Sequence, residues 1–247
     1  MKDFYSCICT ILITSILAIL WALVYKFNIN KSKFLKKSYL YIGDLFNIQK
    51  KTFLYMIKFT YYVMFSLISI ISYKMYFNVN LKNLFNIPFN LSNIGIEILL
   101  FIISIIAIIE VWFFISSSFI YFVLKKDMNS VMNSINWIVY DKKHPIYTGI
   151  IRPLGIVIIE SIFYYGIILN ILTTKYNISY LLSLFILSLI FALSKILTLK
   201  DMDQKILFGA WSFSMFFILG GLFGYTDNII IVMIMYWLNI SFWVFKR

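Results

Sequence analysis

A chain of 247 residues with 62% hydrophobic side chains and 13% charged ones is far too apolar for a soluble domain of its size, and only nine glycines and three prolines punctuate it. Soluble domains, coiled coils, disulfide scaffolds and disordered chains are thereby excluded. The net charge of +12 does not point to nucleic acid: every base except Arg152 and Arg247 is lysine, and no basic patch alternates with stacking aromatics outside the apolar runs.

Apolar runs of the length needed to cross a hydrocarbon core predict seven spans, near residues 5–27, 53–77, 94–124, 151–172, 180–199, 206–225 and 229–245. The first is longer than a signal h-region and no small-x-small cleavage site follows it, so a retained helix is expected. It carries Cys7 and Cys9, whose side chains diverge at i, i+2 on a helix. The third span is long enough either to tilt steeply or to break near Ser116, Ser117 and Ser118 into an eighth short helix.

Lysines 26, 31, 33, 36, 37, 50 and 51 crowd the first loop, and Lys125, Lys126, Lys142, Lys143 and Arg152 follow the third span. By the positive-inside rule these loops are cytoplasmic and the N-terminus lies outside; seven spans then leave Lys200, Lys205, Lys246 and Arg247 inside as well. The expected fold is an all-α, polytopic transmembrane bundle. Between the third and fourth spans, Met128, Val131, Met132, Ile135, Ile138 and Val139 recur at helical spacing. This fits an interfacial helix on the inner leaflet and equally a short helix packed on the bundle floor. The adjoining His144 is expected to be solvated.

Ionisable groups inside spans carry the most information, because each costs roughly 2.5–3.5 kcal/mol at a helix centre and is expected to face protein or water. Lys58 and Glu97 lie near span ends and can reach the interface, whereas Glu110 and Glu160 cannot. Glu160 is nine residues past Ile151, about 14 Å into the membrane. For Lys195, one turn from the inner end of the fifth span, snorkelling and pairing with Glu160 fit equally well.

The stretch Glu160-Ser161-Ile162-Phe163-Tyr164-Tyr165-Gly166 resembles the Glu-Glu-x-x-x-Arg-Gly motif of the CAAX-protease and bacteriocin-processing family of intramembrane endopeptidases. Phe191-Ala192-Leu193-Ser194-Lys195 resembles that family's Phe-x-x-x-His. Gly220 and Thr226 fall where it has a Gly and a Thr before the last helix, which places Tyr236 at the His of His-x-x-x-Asn and Ile240 at its Asn. The likeness spans roughly residues 145–245 and rests on motif order and spacing. It suggests a four-helix core over residues 145–247 preceded by three spans with basic cytoplasmic loops over residues 1–144.

The resemblance implies a glutamate base and two histidines gathered around a water. Here only the glutamate stands. Ser161 replaces the second Glu, Tyr165 the Arg, Lys195 the first His and Tyr236 the second. The candidate site is therefore Glu160, Lys195 and Tyr236, with Ser161, Tyr165 and Asn239 beside them. A lysine ion-paired to Glu160 would occupy the carboxylate that should hold the water, so the resemblance implies a degenerate member of a bacterial cytoplasmic membrane. Such a member is expected to bind a membrane protein or peptide partner, and the resemblance suggests bacteriocin immunity or processing or cell-envelope control as the setting. One alternative is an active endopeptidase using Glu160 with Lys195 and Tyr236; another, resting on Glu110 and Glu160, is a transporter accessory subunit. No Gly-rich phosphate loop, His-x-x-x-His pair or cysteine cluster is present, so no cofactor or metal is expected.

Overall fold

The computed structural model describes residues 2–26, 37–43, 45, 50–80, 94–134 and 146–245. Among these every regular element is helical. Helix α1 spans Lys2–Lys26, α2 Lys50–Phe77 and α3 Ile94–Phe119, the last continuing as a π turn over Ile120–Leu124. The short α4 covers Met128–Ser134. Helix α5 opens with a π turn at Tyr147–Ile151, is α-helical over Arg152–Ser161, and continues in π register over Ile162–Leu169 and Ile171–Lys175. Helices α6 (Tyr180–Ile196), α7 (Met202–Thr226) and α8 (Ile229–Phe245) complete the chain.

Five of these rods, α1, α2, α3 with its π turn, α5 and α7, are long and apolar enough to cross a membrane, and α6 and α8 are shorter apolar helices. Helices thus occur at all seven places where the apolar runs predict them. In a chain so poor in glycine, the helices end on other residues: Asn78, Lys125, Asn177 and Asp227 take the left-handed conformation just beyond α2, α3, α5 and α7. Asn228 then starts α8, its Oδ1 accepting from Ile230 N at 3.0 Å.

Helix α3 does not break at its serines. Ser116 Oγ donates to Trp112 O at 2.7 Å and Ser117 Oγ to Phe114 O at 3.2 Å, so the hydroxyls are satisfied within their own turn and leave the ladder intact. In α4, buried Val131 packs with Ile120 of α3 and Leu207 of α7. The described part of the amphipathic segment therefore sits on the bundle. Its remainder, residues 135–139, lies outside the described residues, as do His144 and the bases at 31, 33, 36, 142, 143, 246 and 247.

Helix α5 is the axis. Phe163 through Leu169 are buried without a gap, which a helix reaches only when neighbours cover its whole circumference. Around it lies one aromatic core: Trp21 of α1 meets Phe163 at 4.7 Å between ring centroids, Tyr164 meets Phe191 of α6 at 5.5 Å and Phe216 of α7 at 5.4 Å, and Phe191 meets Tyr236 of α8 at 6.0 Å. Trp21, Tyr62 and Tyr73 from the first two helices belong to this same core. Helix α7 lies against α6 through Gly220 and Gly224, where added Cβ atoms would come within 2.1 Å of Leu184 and 2.6 Å of Tyr180. The Gly220-x-x-x-Gly224 spacing thus serves packing inside the bundle. Helix α3 is peripheral and rests on α7, with Trp112 Nε1 donating to Leu207 O at 3.1 Å and its indole set edge-on to Trp211.

Candidate functional site

Glu160 is the penultimate residue of the α-helical part of α5, two positions before the ladder widens into π register at Ile162. A widened turn of this kind often accompanies a functional position. The glutamate is 4% exposed and faces the aromatic core. A carboxylate so placed is stable only when donors saturate it. Three do. Lys195 Nζ of α6 lies 2.6 Å from Oε1, Tyr62 Oη of α2 donates to the same oxygen at 2.6 Å, and Tyr236 Oη of α8 donates to Oε2. Four helices thus converge on one carboxylate.

Lys195 pairs with Glu160 and does not turn away from it. Its side chain keeps 32% exposure, so the aliphatic stem bridges from the edge of the bundle to the core. The ammonium also sits 4.6 Å from the centroid of Phe191, one turn earlier on α6, where the ring face favours a cation. The pair is an ion pair in a low-dielectric setting, further satisfied by two phenolic donors.

The other candidates stand apart. Ser161 is fully buried, but its hydroxyl makes no hydrogen bond among the described residues. Tyr165 stacks on Phe216 at 4.5 Å and donates to the Phe216 carbonyl at 2.9 Å, which ties α5 to α7 rather than serving the carboxylate. Asn239 donates to Met235 O of its own helix at 2.8 Å, and Ile240 packs against the core as an apolar residue.

Sequence reasoning missed Tyr62. A tyrosine hydroxyl this far inside an apolar helix needs an acceptor, but the same holds for neighbouring Tyr61, which is exposed, so the sequence marks the pair and not Tyr62 alone. Glu110, which the transporter alternative takes as buried like Glu160, is exposed on α3 and takes no part in the Glu160 site. Lys58 and Glu97, near the ends of their helices, are half-buried.

Beyond the carboxylate, a cavity of about 480 Å³ opens where α2, α5 and α7 end and α6 begins. Tyr165 lines it, five residues along α5 from Glu160, together with Asn80, Asn170, Thr174, Lys175 and Asp227. Lys175 Nζ lies 4.5 Å over the Phe77 ring beside it. Of the candidate residues, Tyr165 lines this polar vestibule, whereas Glu160, Lys195 and Tyr236 do not.

Residues 98–247 match the family of unknown function DUF5968, and the chain belongs to that family. The matched stretch contains Glu160, Lys195 and Tyr236 but not Tyr62. Neither the curated proteins nor the solved structures include a match to this chain.

Proposed function

We propose that this DUF5968 member is a multi-pass protein of a bacterial cytoplasmic membrane that binds a peptide or membrane-protein partner without cleaving it. The observation that carries the reading is the saturation of Glu160. A general base must present its carboxylate to the water it activates, whereas here three donors hold both oxygens among buried aromatic rings. The vestibule near Tyr165 is the place for a partner's polar segment, since it offers a cation, a carboxylate and amide groups in one open concavity. In this reading all seven helices span, with the N-terminus outside, because the lysine-rich loops then share the cytoplasmic face. Helices α6 and α8, at 17 residues each, are about 26 Å long and cross a thin or locally thinned bilayer. The setting is bacteriocin immunity or processing, or control of the cell envelope, as the resemblance to the CAAX-protease family implies.

A second reading is favoured by the convergence of Glu160, Lys195 and Tyr236: an endopeptidase with an unusual set of side chains. Affinity purification of wild type and Glu160→Gln from native membranes, with intact masses of whatever co-purifies, separates the two. A binding protein yields the same full-length partner from both. A protease yields fragments or nothing from the wild type and an intact chain from the variant.

A further inference from the structure

Glu110 lies sixteen residues after Ile94 and fourteen before Leu124, about 21–24 Å from either end of the α3 rod, too deep for a short side chain to reach water. The buried residues of α3 recur every fourth position as Ser104, Ile108, Ser116 and Ile120, and with Trp112 among them they face α7. At 100° per residue Glu110 is about 200° around the helix from Ile108, on the side away from α7. It is exposed, and among the described residues no hydrogen bond or ion pair reaches it. Its neighbours on that face, Ile103, Ile106, Phe113 and Phe114, are exposed as well.

An apolar face of this kind suits lipid tails, but a carboxylate at its centre does not. Lipid offers neither a donor nor a counter-charge at that depth, and an unsatisfied polar group in hydrocarbon costs several kcal/mol. Seven residues further along the same face lies Ser117, and with Tyr121 it lines an open cleft of about 330 Å³ at the inner end of α3. The outward face thus holds a carboxylate at mid-depth and, in line with it, a cleft that Lys126, Asp127 and Met128 close on the bundle side.

We propose that this face of α3 docks a transmembrane helix of another protein that carries a lysine or arginine at mid-depth, its cation meeting Glu110 and one end resting in the cleft at Ser117. Charge complementarity selects this occupant over a second copy of the chain, because a partner's cation both neutralises the carboxylate and donates to it, whereas a second copy packed through α3 brings another carboxyl group and no counter-charge. The surface is separate from the Glu160 site; it rests on the proposed reading of α3 as a membrane span and not on the partner proposed for the vestibule.

The test uses the full chain in phosphatidylcholine vesicles with photoreactive benzoylphenylalanine introduced at Phe114, one turn from Glu110 and exposed. Synthetic single-span Leu-Ala helices carry lysine, norleucine or glutamate at the centre. The expected result is about tenfold more adduct with the lysine peptide than with the norleucine peptide, in keeping with one interhelical polar contact in a bilayer. The glutamate peptide, which brings no counter-charge, should be captured well below the lysine peptide. Glu110→Leu, which faces outward and leaves the packing on α7 untouched, should bring the ratio to about one. Equal capture of lysine and norleucine peptides by the wild-type sequence overturns the proposal. So does a ratio that survives Glu110→Leu, or an adduct formed only between two copies of the chain.

Discussion

Glu160→Ala is expected to destabilise the folded protein by on the order of 3 kcal/mol, measured by equilibrium unfolding in mixed detergent micelles. The loss does not come from one hydrogen bond. Removing the carboxylate leaves the Tyr62 and Tyr236 hydroxyls buried without an acceptor and the Lys195 ammonium without its counter-charge. Because Lys195 keeps partial exposure, its ammonium recovers some hydration, which holds the effect below what a fully enclosed ion would give. Adding Lys195→Met removes the stranded charge. The double variant should therefore be less destabilised than the sum of the singles, a coupling that a double-mutant cycle reads directly. Additive losses would show that the two side chains do not hold each other.

The second large effect is expected where α6 and α7 touch. A Cβ at Gly220 would fall 2.1 Å from Leu184 Cδ1, and Leu184 is 1% exposed, so it has nowhere to swing. The contact is fixed from a second side by Tyr180, whose hydroxyl donates to the Gly220 carbonyl at 2.6 Å. Gly220→Val should cost about 3 kcal/mol, at the upper end of overpacking penalties. Combining it with Leu184→Ala should recover part of that loss, because the methyls then share one space. The neighbouring Gly221 provides the control: nothing lies within 4 Å of its added Cβ. Gly221→Ala should be neutral or stabilise by up to about 1 kcal/mol through helix propensity alone. Equal losses at the two glycines would show that α7 does not lie against α6 as described.

The places of the helices were legible because apolar length is a one-dimensional quantity. What one sequence does not carry is rotation about each helix axis. Glu160 and Lys195 lie at compatible depths, but depth alone could not choose between pairing and snorkelling until α5 and α6 were packed side by side. Tyr62 lies 98 residues from Glu160, and nothing in the α2 sequence marks which tyrosine of the Tyr61-Tyr62 pair turns inward. In α3 isoleucine and phenylalanine occupy every side, so no hydrophobic stripe tells the face on α7 from the face carrying Glu110. The serine run at the end of α3 left a break open as one of two alternatives for a different reason. Hydroxyls weaken helices in water by competing for backbone groups, yet inside an apolar segment they are satisfied by the preceding turn and the helix passes through.

In the proposed reading Glu160 anchors four helices and does not activate water. The most direct measurement is partner capture by the double variant Glu160→Gln/Lys195→Met, made on preparations whose unfolding transition shows them to be folded. Gln keeps an oxygen to accept from one of the two tyrosines and presents an amide N–H to the hydroxyl of the other, and Met keeps the volume of the lysine stem, so packing is retained while both ionisable groups are lost. The account predicts the same full-length partner in the same yield as from the wild type. A folded double variant that accumulates an intact chain which the wild type cuts would contradict it and make Glu160 a catalytic base.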